Sequence, residues 1–271
     1  MPDGPNAPAP ISRSALRSAR RLLSRRGRED AGAFLVEGSQ AVREALGWQG
    51  RMVLLATSDP DRDESFVRDA QERGVRVAGL SPADVSALSE TVTSQGLFAV
   101  CSLVAGSELP ALDAPELVVI CAQVRDPGNA GTVIRCADAF GAAAVVLTKG
   151  SVDPHNSKTV RASVGSVFHL PVITGVGLEE AVGWARDCGL QVLAADGGGH
   201  SLDELARQGR LSAPTAWLMG NEAWGLPEEQ RALADEVVGV PMWGAAESLN
   251  LSTAAAVCLY TTASAQRGGE D

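Results

Sequence analysis

Apolar runs alternate with amphipathic segments along nearly the whole chain. In the first part, short apolar runs are separated by segments whose apolar residues recur at helical spacing. The predicted strands are 33–38, 51–57, 75–80 and 97–103, and the predicted helices are 39–48, 63–74 and 81–92. Ser39 and Ser81 suit helix N-caps, and Pro82 suits a first helical position. This alternation predicts a small α/β domain.

The rest of the chain repeats the alternation with longer elements. The predicted strands are 117–124, 143–148, 171–174, 190–196, 215–219 and 236–242, and the predicted helices are 129–140, 157–167, 178–188, 227–234 and 249–266. These strands are continuous apolar runs, which is typical of parallel strands covered by helices on both faces. We therefore expect an open α/β domain with a mostly parallel sheet. Such sheets bind ligands beyond the carboxyl ends of their strands.

The segment "AGSELPALDAP" (105–115) separates the two patterns. It contains two prolines and a glycine and has no periodicity, which is typical of a linker. The predicted organisation is a disordered tail at 1–11, a first domain at 12–104, the linker, and a second domain at 116–271.

Composition excludes several classes of protein. No apolar run approaches the length of a membrane span, about 18 residues or more, and the N-terminal segment lacks the apolar centre of a secretory signal. The five cysteines form no Cys-x-x-Cys pair, and the three histidines are scattered. We expect neither a metal site nor a disulfide framework, and a reducing cytoplasm suits the chain best.

Positive charge is concentrated near the N-terminus although the net charge is −10. Residues 1–30 hold seven arginines against three acidic residues. Arginine presents a fixed fork of donors that suits phosphate, so this segment is a candidate for binding RNA. A solvated helix face or a disordered tail is an equal alternative. The RNA-binding candidates are Arg17, Arg20, Arg21, Arg25 and Arg26, together with Lys158 and Arg161 from a later loop whose alternative is ordinary exposed charge.

Three predicted strands are followed by loops with polar side chains. These loops are 125–129, 220–226 and 243–248. Asn129 lies near a predicted helix start and Arg135 two turns later; their alternatives are a helix cap and a surface ion pair with Asp138. Ser248 in turn suits the N-cap of the last helix. The run "DGGGHS" (196–201) is predicted to be a flexible loop.

Two other classes of protein make distinct predictions. An oxidoreductase on a Rossmann-type sheet requires a Gly-x-Gly-x-x-Gly fingerprint after the first strand, and Gly128 and Gly131 lack that spacing. A non-catalytic RNA-binding ribosome factor is expected to have lost Arg135 or Glu222, and both are present.

Three segments together resemble a known family. "PGNAGTVIRCADAFG", "LMGNEAWGLP" and "VPMWGAAESLNLSTAAAV" are similar, in order and spacing, to the motifs of the SpoU-type (TrmH-like) branch of the SPOUT superfamily. Its members are S-adenosylmethionine-dependent RNA ribose 2′-O-methyltransferases. Residues 12–103 resemble the ribosomal-protein-type RNA-binding domain that often precedes the catalytic domain. The resemblance implies a C-terminal trefoil knot, an exception to the rule that chains avoid threading, and a homodimer with active sites near the interface.

The resemblance also implies roles for particular residues. The implied catalytic set is Arg135, Asn129, Glu222, Ser248 and Asn250. The implied cofactor-binding set is Leu218, Met219, Gly220, Asn221, Val240, Pro241, Met242, Leu249 and Asn250. Trp224 and Trp243 have two open roles: contact with bases or cofactor, or burial in a core or dimer interface.

The implied reaction joins a weak nucleophile, the ribose 2′-hydroxyl, to an activated methyl group. Arginine is a poor base because its pKa exceeds about 12. Our hypothesis is that Arg135 stabilises the developing alkoxide while the proton passes to phosphate or water. By analogy with the family, large-subunit rRNA is favoured over tRNA as the substrate, and a tRNA methyltransferase remains the alternative.

Overall fold

The computed structural model describes residues 8–48 and 51–268. By the proximity of its Cα atoms the chain divides into two compact units. Unit 1 comprises residues 1–104 and 155–168, and unit 2 comprises residues 105–154 and 169–271. Each unit is described by itself below.

Ten strands and eleven α-helices are assigned within the described residues. The strands are β1 (Ala33–Glu37), β2 (Met52–Thr57), β3 (Arg76–Gly79), β4 (Leu97–Ser102), β5 (Leu117–Cys121), β6 (Ala144–Leu147), β7 (Val172–Thr174), β8 (Gln191–Ser201), β9 (Thr215–Met219) and β10 (Glu236–Gly239). The helices are α1 (Arg13–Arg21), α2 (Arg25–Ala31), α3 (Ser39–Gly47), α4 (Glu64–Glu72), α5 (Pro82–Leu88), α6 (Pro127–Ala139), α7 (Ser157–Ser163), α8 (Leu178–Asp187), α9 (Leu202–Arg207), α10 (Glu228–Arg231) and α11 (Leu251–Arg267).

Unit 1 contains a four-stranded mixed sheet in the order β1-β4-β2-β3. β4 runs antiparallel to both of its neighbours, whereas β2 and β3 are parallel. Leu35, Ala56 and Phe98 from the sheet pack with Ala19 and Leu22 from the α1 region in one buried cluster. The predicted small α/β domain is confirmed, with all four strands at the expected places.

Two predictions about unit 1 differ from the structure. Helix α5 ends at Leu88 rather than at residue 92, because Ser89 adopts an extended conformation and its hydroxyl donates to Glu37 Oε1 at 2.6 Å. Residues 9–11 do not form part of a tail: Ile11 N–H donates to Gly79 O, and Gly79 N–H donates to Ala9 O, each at 2.9 Å. The remainder of the predicted tail, residues 1–7, lies outside the described residues.

Unit 2 contains a six-stranded sheet in the order β10-β8-β9-β5-β6-β7. Every neighbouring pair is parallel, and every residue of β5, β6 and β9 is buried. A strand covered on both faces must be apolar throughout, so the prediction of a parallel sheet from unbroken apolar runs is confirmed.

The prediction of a flexible loop at 196–201 is wrong, because β8 extends to Ser201. Its register with β10 shifts between Val237, which pairs with Ala194, and Val238, which pairs with His200. The glycine-rich stretch between these pairs is a bulge. A Cβ atom on Gly199 would lie 2.1 Å from the carbonyl oxygen of Val237, so only glycine allows this close approach.

The predicted linker contains no helix or strand but makes definite contacts within unit 2. Gly106 N–H donates to Val172 O at 3.2 Å, and Thr174 N–H donates to Gly106 O at 2.7 Å. The indole N–H of Trp184 donates to Pro110 O at 2.8 Å. These bonds attach the segment to the β7 edge of the sheet and to α8.

Candidate active site

The carboxyl ends of two neighbouring strands, β5 and β9, place two of the polar loops together. β9 lies between β5 and β8, and Met219 at its end pairs with both Cys121 and Ala195. The loops that follow β5 and β9 therefore leave the sheet side by side, next to Ala195 of β8. This edge is where open α/β sheets bind ligands.

The loop after β9 is a tight turn that depends on glycine. Asn221 and Gly225 exchange two backbone hydrogen bonds of 2.9 Å, which close the turn. A Cβ atom on Gly220 would lie 2.5 Å from the carbonyl carbon of Gly225. Gly220 therefore allows the two arms of the turn to touch.

Glu222 at the tip of this turn connects it to the loop after β5. Its Oε2 accepts from Arg125 N–H at 3.2 Å, and its Oε1 accepts from Asp126 N–H at 3.0 Å and from Asn129 Nδ2 at 3.3 Å. A carboxylate that accepts several N–H bonds holds those donors in a fixed arrangement. Glu222 thereby fixes the start of α6.

Asn129 extends this network to the start of α11. Its Oδ1 accepts from Asn250 Nδ2 at 3.0 Å, so its two amide atoms are both engaged and their orientation is defined. Asn250 caps α11 by accepting from Ser252 N–H at 2.9 Å and Thr253 N–H at 3.4 Å. Glu222, Asn129 and Asn250, which come from three separate motifs, thus form one hydrogen-bonded cluster.

The side chain of Asn221 points inward. It is 5% exposed, and its Nδ2 donates to Gln123 O at 2.6 Å while its Oδ1 accepts from Ala223 N–H at 2.8 Å. Both polar ends of the amide are therefore occupied by backbone groups. Asn221 holds the loops after β5 and β9 together.

A cavity of about 390 Å³ opens beside this cluster. Nine of its lining residues are candidate site residues implied by the family resemblance: Met219, Gly220, Asn221, Glu222, Val240, Met242, Ser248, Leu249 and Asn250. The volume lies within the range of small-molecule sites, about 300–1,000 Å³. The structure therefore brings the second and third motifs around one cavity.

Other predicted residues lie elsewhere. Leu218 is fully buried in the core of unit 2, and neither it nor Pro241 lines the cavity. Arg135 is exposed on α6 and is not a lining residue. Its alternative partner Asp138 instead contacts His169 Nδ1 at 2.8 Å.

Two helix caps at the site differ from expectation, and in unit 1 Gly38, not Ser39, is the N-cap of α3. Asp126, not Asn129, is the N-cap of α6 and accepts from Asn129 N–H at 2.8 Å. Asn250, not Ser248, is the N-cap of α11. In both cases at the site the residue directly before the helix is the cap, because its side-chain oxygen accepts from free N–H groups of the first turn.

The candidate RNA-binding arginines have different environments. Arg25 Nε contacts Glu29 at 2.8 Å, Arg26 contacts Asp30 at 3.9 Å, and Arg21 contacts the same carboxylate at 3.4 Å. Arg17 and Arg20 are exposed on α1, and the described residues place no carboxylate within ion-pair distance of either one.

The two remaining basic candidates, Arg161 and Lys158, also have different environments. Arg161 on α7 contacts the buried carboxylate of Glu37 at 3.4 Å and is 28% exposed. Glu37 also accepts from the hydroxyls of Ser89, Thr91 and Ser94. Lys158 lies in the first turn of α7, where its N–H donates to Asn156 Oδ1. Arg161 is therefore tied to unit 1 by an internal ion pair.

Sequence reasoning missed two carboxylates that line the cavity, Asp196 and Glu247. Asp196 is partly paired, since its Oδ1 lies 3.5 Å from Arg231 Nη1. The signal for Asp196 was its position directly after a buried apolar run, which places it inside β8 next to Ala195, the residue that pairs with Met219 at the end of β9. The assignment of the following glycines to a flexible loop obscured it.

Beneath the cluster, burial raises the pKa of the Cys121 thiol to about 12, and the negative charge of Glu222 adds to this effect. The thiol is neutral near pH 7 and is not a nucleophile there. No group of three or more potential metal ligands occurs among residues 8–48 and 51–268. Within the same ranges, no helix has the length and apolar character needed to cross a membrane.

Fold and site together define a class of protein: an α/β protein with a parallel sheet that holds a small-molecule site beside a carboxylate and amide cluster at its carboxyl edge. Residues 116–260 match the SpoU rRNA Methylase family, and residues 14–99 match the MRM3-like substrate binding domain. The chain belongs to the SpoU rRNA methylase family.

Curated relatives carry specific names. The chain is 35% identical over 242 residues to the 23S rRNA (guanosine(2553)-2′-O)-methyltransferase of Bacillus subtilis, covering 89% of this chain and 92% of the relative. It is 32% identical over 251 residues to the 23S rRNA (uridine(2479)-2′-O)-methyltransferase of Streptomyces viridochromogenes, covering 88% and 85%.

Solved structures show the same fold. An AdoMet-bound rRNA methyltransferase from Sinorhizobium meliloti has a TM-score of 0.78 and 30% identity, covering 95% of this chain and 97% of that one. The SpoU methyltransferase AviRb from Streptomyces viridochromogenes in complex with AdoMet has a TM-score of 0.77 and 28% identity, covering 93% and 97%. The expected SPOUT methyltransferase fold is confirmed.

Proposed function

We propose that this protein uses S-adenosylmethionine to methylate the 2′-hydroxyl of a ribose in 23S rRNA. The observation that carries the proposal is the cavity at the carboxyl end of β9 and beside β8, which adjoins the hydrogen-bonded cluster of Glu222, Asn129 and Asn250. Membership of the SpoU rRNA methylase family and the names of both curated relatives support it.

The chemistry of the lining residues fits the cofactor. Met219, Val240 and Leu249 offer apolar surface, while the turns offer backbone groups for an adenine. Asp196 and Glu247 place negative charge at the cavity, which suits a cationic ligand that also carries an amino group. When bound, S-adenosylmethionine supplies a methyl group activated by its sulfonium. We assign its binding to the candidate residues that line this cavity.

The protein's own part in the reaction is to position the ribose and to stabilise charge. The cluster of Glu222, Asn129 and Asn250 is fixed before substrate arrives, so no reorganisation is needed when the hydroxyl is bound. Ser248 lines the same cavity and has an exposed side chain available to the substrate. Arg135 stabilises the developing alkoxide, and the hydroxyl proton leaves to phosphate or water.

Unit 1 is assigned to RNA binding, with the exposed arginines of α1 contacting phosphates. The match of residues 14–99 to a substrate binding domain supports this assignment. The two curated relatives are named for different nucleotides, a guanosine and a uridine, so their names define a ribose in 23S rRNA and not one base. We further propose a cytoplasmic homodimer, for which light scattering in solution is the direct test.

The experiment is transfer of labelled methyl groups from S-adenosylmethionine to unmethylated 23S rRNA transcribed in vitro. We expect the wild type to label 23S rRNA and not bulk tRNA, with the product mapped as a 2′-O-methylated nucleotide. Arg135→Ala is expected to lower kcat by about 100-fold or more, because one stabilising group is lost, with cofactor affinity unchanged by calorimetry.

Arg207→Ala, which removes an exposed arginine from the end of α9, is the matched control. Its kcat and cofactor affinity should equal those of the wild type. Full activity in Arg135→Ala would reject its role. Labelling of tRNA in place of 23S rRNA would support the alternative substrate, and binding of RNA without any transfer would indicate a non-catalytic factor.

A further inference from the structure

Trp224 lies at the rim of the cavity but does not line it. Its neighbours Ala223 and Gly225 are lining residues, whereas Trp224 itself is 46% exposed. The turn that carries it is closed by the backbone pair of Asn221 and Gly225. A large aromatic ring is therefore presented outward from a turn of fixed geometry, next to the cofactor cavity rather than inside it.

The ring is held by a cation. The guanidinium carbon of Arg125 lies 4.9 Å from the centroid of the Trp224 ring, within the distance of a cation–π contact. The backbone N–H of Arg125 donates to Glu222. The ring, the guanidinium and the carboxylate of the cluster are thus parts of one connected structure, formed by the loops after β5 and β9.

We propose that Trp224, held by Arg125, is the stacking platform for the base of the nucleotide that is methylated. This inference rests on the proposed function. The base is attached to the carbon next to the one that carries the 2′-hydroxyl, so a ribose at the Glu222 cluster brings its base to the adjoining rim. Among the described residues, the exposed ring joined to that cluster by contacts is Trp224.

Stacking also agrees with the chemistry of recognition. An aromatic ring stacks on any base, because every base has a π face, and an extruded base needs such contacts to offset the loss of its neighbours in the RNA. A stacking platform therefore accepts either purine or pyrimidine. Arg125 holds the indole from one side and leaves the exposed part of the ring for the base.

The test compares Trp224→Phe and Trp224→Leu in steady-state methylation of unmethylated 23S rRNA transcript. Trp224→Leu keeps an apolar side chain without a π face and is expected to raise KM for RNA by about 5-fold or more. Trp224→Phe keeps an aromatic ring, so its KM for RNA should stay within about 3-fold of the wild-type value. Neither change should alter cofactor affinity by calorimetry or oligomeric state by light scattering.

Trp243→Leu tests the other exposed tryptophan, which is 86% exposed and is also a candidate for contact with bases. An equal rise in KM in that variant would contradict the assignment to Trp224. Weaker cofactor binding in Trp224→Leu would make the ring a cofactor cover, and a change of oligomeric state would make it an interface residue; either result overturns the inference. If the wild type methylates the transcript and Trp224→Leu has the same KM for RNA, the stacking role of Trp224 is rejected but the proposed function stands. If the wild type itself does not methylate the transcript, the proposed function is rejected together with the stacking role.

Discussion

At the scale of single residues, the site is organised by side chains that bind backbone. Glu222 accepts from two backbone N–H groups, and Asn221 contacts one carbonyl and one N–H. Such groups are selected for shape and hydrogen-bonding capacity, which explains why an amide and a carboxylate follow the apolar end of β9. A plain turn requires neither.

Gly220 gives the sharpest test of this arrangement. Gly220→Ala places a methyl group against the Gly225 backbone, so the turn must open. We expect a loss of about 1–3 kcal/mol in the free energy of unfolding, as for overpacking elsewhere, and at least a 10-fold rise in the Kd for S-adenosylmethionine by calorimetry.

Gly183→Ala is the matched control for that substitution. A Cβ atom there meets nothing within 4 Å, and the residue lies inside α8. Alanine is favoured over glycine in a helix by about 1 kcal/mol, so this variant should be as stable as the wild type or more so. Unchanged cofactor affinity in Gly220→Ala would show that the turn does not shape the cavity.

The family resemblance singled out the residues of the cluster as candidates but not their partners. Glu222 contacts Asn129, which lies 93 positions away, and Asn250 contacts Asn129 from a distance of 121 positions. Spacing along a chain carries no information about such pairs. For the same reason the inward orientation of Asn221 and the position of Asp196 beside the cavity became visible only in the fold.

At the scale of elements, the two N-terminal helices divide the arginines by role. Arg28 is 4% exposed, and its guanidinium donates to Leu22 O at 2.8 Å and to Leu23 O at 3.1 Å, which satisfies the carbonyls at the end of α1. Helix α2 pairs its other arginines with its own acidic residues. Helix α1 has no acidic residue; its Arg21 contacts Asp30 of α2, whereas its exposed Arg17 and Arg20 have no ion-pair partner among the described residues.

This difference predicts unequal contributions to RNA affinity. Arg17→Ala/Arg20→Ala should weaken binding of 23S rRNA transcript and reduce the slope of log K against log salt by about 2, one unit for each lost phosphate contact. Arg25→Ala/Arg26→Ala removes the same charge from positions that Glu29 and Asp30 already neutralise, so its effect on the slope should be smaller. Filter binding across a salt series measures both.

Equal slopes for the two double variants would show that the internal ion pairs do not decide which arginines meet RNA. A larger reduction of the slope in Arg25→Ala/Arg26→Ala would indicate that RNA contacts α2 rather than α1.

Elements with strong periodicity were predictable, and elements set by tertiary contacts were not. The unbroken apolar runs fixed the strands of unit 2, because burial on both faces leaves no other composition. Helix α9 and the extension of β8 were missed, since the glycine run "GGGH" has no periodicity of its own and takes its conformation from close contact with β10.

At the scale of the whole molecule, each unit has its own sheet and its own buried cluster. The parallel sheet of unit 2 was predicted from sequence, but the mixed sheet of unit 1 and both strand orders were not, because no pattern records which strand lies beside which. A unit with its own core is expected to unfold by itself. Cysteines placed in both cores make that expectation measurable.

Three buried cysteine thiols allow the unfolding of each unit to be measured separately. Burial raises the pKa of Cys101 in unit 1, and of Cys121 and Cys258 in unit 2, to about 12 in each case. At pH 8 these thiols are protonated and inaccessible, so alkylation requires unfolding. Saturating S-adenosylmethionine at about 100 times its Kd stabilises the unit that binds it by about 2.7 kcal/mol. Labelling of Cys121 and Cys258 should then slow by about 100-fold, with Cys101 unchanged.

Mass spectrometry of each cysteine peptide after iodoacetamide treatment at low concentration gives the rates. Cys136 and Cys188 are only half-buried and serve as internal controls, because they should react in the folded protein with or without the cofactor. Equal protection of Cys101 would mean that the two units unfold together, so that cofactor bound in unit 2 also stabilises unit 1. Protection of Cys101 alone would indicate that the cofactor binds in unit 1, which would contradict the assignment of the cofactor to the cavity in unit 2.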